Sequence, residues 1–229
     1  MNIHTSHKIA LAGLAAVALA GIAGCAASSA SSTSSASSMD ADKMAMEIAQ
    51  RSFRDEGIVK AEPVLAGDET LRACSAADVA GKQLDDKTAR AIEAENLRTV
   101  QWPQGGKYLG DWREGEKIAQ NGRGNTFTDT ARTVNGGNCY NCHQITKKEI
   151  SFGTIGPSLY QYGKLRGVTD PSSEASQAVV KYTWGKIWNS KAYNACSNMP
   201  RAGHKGILNE QQIAHVVALL LDPKSPVNE

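Results

Sequence analysis

Cys139 and Cys142 are separated by two residues in Asn138-Cys139-Tyr140-Asn141-Cys142-His143, and a histidine follows at once. That spacing is the attachment pattern of a c-type haem. Each thiol adds to one vinyl group of a porphyrin, and His143, on the same short turn, meets the iron from one face. The porphyrin edge and the iron lie at fixed distances from each other, so all three groups are needed at this spacing. A zinc site is the competing reading, but zinc takes about four N or S ligands, usually from a second pair. The sequence has no second such pair. The expectation is a fold built around one covalent haem c.

The amino terminus agrees with such chemistry outside the cytoplasm. Lys8, with His4 and His7, forms a polar start, and Ile9 to Ala23 is a small, apolar run. Roughly 15 residues fall short of the ~20 that a spanning helix needs, so residues 1–24 read as an export signal. Ile22-Ala23-Gly24-Cys25 resembles a bacterial lipobox, which implies cleavage before Cys25 and lipid on its thiol and the new amino terminus. Cleavage at an Ala-x-Ala-like site, giving a soluble secreted protein, is the alternative. Several acyl chains hold a protein on a membrane more firmly than one. Residues 25–39, mostly serine and alanine, have little to bury and read as a flexible tether. The net charge of +2 becomes +1 when Lys8 leaves, which argues against a nucleic-acid partner.

Residues 40–104 read as a helical extension and 105–229 as the haem domain. Asp40 to Asp55 suggests a helix capped by Asp40, with Met44, Ile48 and Phe53 on one face. Pro63 breaks that pattern. Thr70–Ala80 and Asp86–Leu97 suggest two shorter helices with thin apolar stripes. Gln101-Trp102-Pro103-Gln104-Gly105-Gly106 is the turn between extension and core. From Asp111 to Asn121 a helix is expected, capped by Asp111 and stopped by Gly122. Trp112, Gly115, Ile118 and Ala119 share one side of it, and small residues there point to close helix–helix approach. Asn209–Leu221 is the strongest helix, with an Asn209/Gln212 capping box and Ile213, Val216, Val217, Leu220 and Leu221 at helical spacing. Pro223 ends it.

A c-type iron commonly takes a second axial ligand, Met or His. After the motif only Met199, His204 and His215 qualify. Met199, in Cys196-Ser197-Asn198-Met199-Pro200, is favoured because Pro200 keeps the segment out of a helix and presents the thioether from a loop. Core filling is the ordinary fate of methionine, and His204 stays open on spacing. His215 falls near the polar side of the last helix, facing solvent. Gly156-Pro157 is either a plain turn or a rigid loop whose Pro157 carbonyl accepts the far ring proton of His143. Setting aside Cys25, Cys139 and Cys142 leaves Cys74 and Cys196 of the five cysteines. In an oxidising compartment an internal disulfide is favoured over free thiols or a bridge to a partner.

An amino-terminal helix, the Cys-x-x-Cys-His site, a Gly-Pro loop, a Met-Pro loop and an amphipathic last helix together resemble an all-α class I cytochrome c. Several stretches more narrowly resemble the SoxX subunit of the periplasmic sulfur-oxidising complex SoxXA. They are Gly153-Thr154-Ile155-Gly156-Pro157-Ser158-Leu159, Asn198-Met199-Pro200-Arg201, Gly203-His204, Gly206-Ile207-Leu208 and Val217-Ala218-Leu219-Leu220. Asp222-Pro223-Lys224-Ser225-Pro226-Val227-Asn228 completes the set. The match runs from about Gly110 to the end.

The resemblance implies thioethers at Cys139 and Cys142 and axial ligands His143 and Met199. It also implies a SoxA-like partner, and electrons passed to a downstream small cytochrome. In that family, thiosulfate is joined to a cysteine of the carrier SoxYZ, and this chain would be a redox subunit with no bond-making residue of its own. Ala202 stands where the resemblance implies an aromatic, which would loosen the ligand loop, and the lipobox and extension are departures too. The alternatives are a membrane-tethered carrier without a sulfur partner, and a haem enzyme or ligand sensor with an open iron site.

Overall fold

A computed structural model describes residues 33–229, so the signal segment, Cys25 and the first part of the tether lie outside the described residues. Two compact units divide between Ile48 and Ala49. Helix α1 (Thr33–Ser52) begins ahead of Asp40 and takes in Thr33 to Met39, which the sequence suggested as tether. Residues 33–52 contain no Gly or Pro, and serine costs well under ~1 kcal/mol per helical position relative to alanine. Met44 and Ile48 are 57% and 58% exposed.

Residues 49–229 are helical, with no strand among them beyond an isolated bridge between Glu56 and Val59. Pro63 does more than interrupt. It sits in the first turn of a short helix, α2 (Glu62–Ala66), where its missing N–H has no helical acceptor to lose. Helices α3 (Glu69–Val79) and α4 (Asp86–Arg98) follow, capped by the carboxylates of Asp68 and Asp85, which accept from Leu71 N and Thr88 N. Helix α5 (Trp112–Gln120) starts at Asp111, whose side chain accepts from Arg113 N at 2.9 Å.

The core is laid down by two later helices. Helix α7 (Glu210–Leu221) carries the capping box, with Gln212 N donating to Asn209 Oδ1 and Asn209 N to Gln212 Oε1. Ile213, Val216, Val217, Leu220 and Leu221 are buried, and so are Ala214, Ala218 and Leu219. Burying each Val, Ile or Leu contributes ~1.5–3 kcal/mol, which makes α7 the main apolar element of the fold. Helix α6 (Gln177–Trp188) is absent from the sequence reading. Its β-branched and aromatic residues have modest helix propensity, and burial decides instead. Trp184 is fully buried, stacks on Trp188, meets Tyr108 edge-on and donates from Nε1 to Gln101 O at 2.9 Å.

Helices α5 and α7 cross where Gly115 and Ala119 are buried. A Cβ on Gly115 would stand 2.1 Å from His215 O, so only glycine permits this approach. His215 is not simply solvated. It is half-buried, and its Nδ1 accepts from Asp111 N at 2.8 Å, fastening α7 to the start of α5.

Candidate haem site

The Cys-x-x-Cys-His motif is a single 3₁₀ turn, Cys139–Asn141, entered through Asn138 in the left-handed region at φ 48°. Asparagine tolerates that conformation better than most residues. Cys142 N and His143 N both donate to Cys139 O, at 3.1 and 2.9 Å, which closes the turn and brings both cysteines and the histidine together. Gly137 N donates to Ile118 O and Asn138 N to Asn121 O, so the motif hangs from the end of α5. Cys139 and Cys142 are free thiols, and burial pushes the Cys139 thiol up to about 11.

Two glycines press against the motif from the far side. Gly153 N donates to Tyr140 O and Gly156 N to Cys142 O, both at 2.8 Å. A Cβ on Gly153 would lie 1.8 Å from Asn141 O, and one on Gly156 would lie 2.1 Å from His143 Cε1. The His143 ring therefore has glycine backbone flat against it. His143 Nδ1 lies 2.7 Å from Pro157 O. A carbonyl oxygen only accepts, so Nδ1 carries the proton and Nε2 keeps the free lone pair a metal needs. That bond also fixes the ring and raises its basicity.

Met199 is half-buried against the core on a separate loop. Ser190 Oγ donates to Met199 O at 2.5 Å, and Met199 N donates to Ser197 Oγ at 3.2 Å. The loop is tied rather than loose at Ala202, which is buried, donates from N to Ile187 O and accepts from Ile207 N and Leu208 N. His204 is exposed, and its imidazole pKa is lowered by partial burial and by the Arg201 and Lys205 cations. Cys74 and Cys196 are bonded to each other, with Cα atoms 5.5 Å apart and a sequence separation of 122.

The residues present fit a covalently held porphyrin. Two free thiols and a ring nitrogen with an open lone pair share one turn. Trp188 Nε1, moreover, is buried without a hydrogen-bond partner, and its ring lies flat against Gly203, just beyond Met199. A buried N–H of this kind has room for an acceptor from outside the chain, which the carboxylate of a macrocycle would supply. Trp188 escapes a reading of sequence, and Gly153 and Gly156 show there only as turn and motif residues, because their significance lies in which atoms they face.

Comparison with known proteins places residues 113–223 in a match to the Cytochrome c family model. A protein of Aquifex aeolicus (strain VF5) described as an uncharacterized lipoprotein is 35% identical over 172 residues. The aligned region covers 72% of this chain and 74% of that relative.

Proposed function

The chain belongs to the cytochrome c family, and from that premise we propose that it is the electron-transfer subunit of a SoxXA-like thiosulfate-oxidising complex. Its cofactor is covalent haem c, and its general task is electron transfer. When bound, that group supplies a one-electron ferric/ferrous couple. In the proposed assignment Cys139 and Cys142 would hold the haem through their thiols, His143 would offer it Nε2 while Pro157 O holds the ring, and Met199 would offer its thioether. A neutral thioether favours the ferrous state and raises the potential, which suits an acceptor of electrons from a sulfur centre. Joining a thiosulfate sulfur to a carrier thiol forms one S–S bond and releases two electrons and one proton. This subunit takes the electrons singly from a SoxA-like partner and hands them to a downstream small cytochrome.

The supporting observation is the part played by the carboxy-terminal residues that carry the SoxX resemblance. Ser225 Oγ donates to Leu219 O. Asn228 Oδ1 accepts from Gly163 N and Lys164 N, and its Nδ2 donates to Leu220 O and Asp222 O. Val227 is fully buried. The Asp222–Asn228 segment is thus a strap binding α7 to the loop after the Gly-Pro turn, a reason for those residue types at those positions. Isolation of the native protein tests the proposal. A second haem subunit should co-purify, and thiosulfate with its protein carrier should reduce the haem of the pair. Isolation without any partner, and no reduction by thiosulfate, contradicts it.

The lipoprotein relative supports a lipid anchor on Cys25, and a second reading keeps that anchor alone: a carrier tethered in the periplasm, with no sulfur partner. Lipid on Cys25 suits either assembly. Intact mass of the mature amino-terminal peptide tests the anchor, and an unmodified Cys25 or cleavage elsewhere refutes it.

A further inference from the structure

The loop that carries Met199 is held from two sides, and one of them is built from helices outside the region matched as Cytochrome c. Four ties reach residues 189–201 from α3 and α4. Asp68, the cap of α3, pairs with the buried Arg201. Cys74 in α3 is bonded to Cys196. Glu93 Oε1 in α4 accepts from Ala195 N at 3.2 Å. The fully buried Asn189 donates from Nδ2 to Asn96 Oδ1 at 3.0 Å and to Thr99 Oγ1 at 2.9 Å. Close packing does not replace these ties, because a cavity of about 460 Å³ lies between α3 and the loop, lined by Leu71, Cys74, Ser75, Met199 and Pro200 among others.

We propose, given that Met199 is the axial ligand, that α3 and α4 are the mounting of the ligand loop and that Asp68 and the Cys74–Cys196 bond are positioning residues for the thioether. A loop with a two-residue reach from Cys196 to Met199 cannot swing far while the sulfur–sulfur bond holds. Arg201, two residues on the other side of Met199, is fixed by a carboxylate in a half-buried setting where such pairs are least screened. The extension thereby sets how often the sixth position opens. An outside ligand that binds only the open form has its apparent affinity scaled by the open fraction. Weakening the mounting must therefore make such a ligand bind more tightly.

Imidazole titration of the ferric holoprotein is the test, on the wild type, Cys74→Ser/Cys196→Ser, Asp68→Asn and Met199→Ala. Asparagine still caps α3 but cannot pair ionically with Arg201, so Asp68→Asn keeps the test alive should the disulfide variant fail to fold. Asn209→Ala, which removes the α7 capping box and touches none of the four ties, serves as the control for general destabilisation. The expected result is imidazole binding about tenfold tighter in the disulfide variant, equivalent to ~1.4 kcal/mol on the opening equilibrium. A smaller tightening is expected in Asp68→Asn, with no change in Asn209→Ala and loss of the near-infrared sulfur-to-iron band in Met199→Ala. Unchanged imidazole affinity in both mounting variants, with the band still lost in Met199→Ala, overturns the mounting and leaves the ligand intact. Survival of the band in Met199→Ala overturns the ligand assignment and the mounting with it.

Discussion

Replacing Gly115 by alanine sets two effects against each other, and the geometry says which prevails. In the interior of α5 alanine is favoured over glycine by roughly 0.5–1 kcal/mol through backbone entropy. The new methyl, however, would lie 2.1 Å from His215 O, 2.7 Å from His215 C and 2.9 Å from Leu219 Cβ. Ordinary contact begins at 3.4 Å, so the two helices must part by about an ångström, and two of the three obstructing atoms are backbone. Overpacking of this kind costs ~1–3 kcal/mol. Parting the helices also strains the His215–Asp111 hydrogen bond, worth ~0.5–1.5 kcal/mol. The net effect is a loss of ~1–2 kcal/mol, which in a unit of this size lowers Tm by about 2–8 °C. Thermal unfolding of the ferric holoprotein, followed by far-ultraviolet circular dichroism, reads the shift. A Tm equal to or above that of the wild type refutes the close crossing of α5 and α7.

Three further perturbations have defined outcomes. Gly156→Ala drives a methyl into the His143 ring, 2.1 Å from Cε1, so the ring turns away and the low-spin spectrum of the purified holoprotein should give way to a high-spin one. An unchanged Soret band counts against the glycine cradle. Asn209→Ala removes the Oδ1 acceptor from the α7 capping box and should cost ~1 kcal/mol in urea unfolding, with no change in the haem spectrum. A stability equal to wild type shows that the box is dispensable. Burial is the largest single effect on Asp68 and raises its pKa, but the hydrogen bonds from Arg201 and Leu71 N together with the Arg201 and Lys205 charges outweigh it, and the net shift is downward. A depressed carboxylate contributes stability above its unfolded pKa, near ~3.9, and loses it as pH falls through the lower folded value. The Tm difference between wild type and Asp68→Asn should therefore be present at neutral pH and shrink in acid below that range, and a difference that grows in acid reverses the sign assigned to the pair.

What a reader of the sequence can find here is local. The Cys139–His143 spacing, the caps at Asp111 and Asn209 and the apolar stripe of α7 are each written within a dozen residues, and the structure contains the corresponding elements. Helix α6 is invisible because its residues have no strong preference of their own, and Trp184 gains its burial only when Tyr108 and Gln101 arrive from elsewhere. His215 looks polar and exposed until α5 is laid across α7 and offers the Asp111 N–H. The grip of α3 and α4 on the Met199 loop spans over a hundred residues of chain, and no periodicity records it. Cysteine counting singles out Cys74 and Cys196, and the short step from Cys196 to Met199 already ties that pair to the loop of the thioether; the added support from Asp68, Glu93 and Asn96 is what the count cannot show.

Near-infrared magnetic circular dichroism of the native ferric protein goes most directly to the proposal that Met199 supplies sulfur to an iron held by His143. A sulfur-to-iron charge-transfer band with a low-spin six-coordinate spectrum is the predicted result. A high-spin spectrum, or a low-spin one without that band, means an open or nitrogen-filled sixth position and contradicts the assignment.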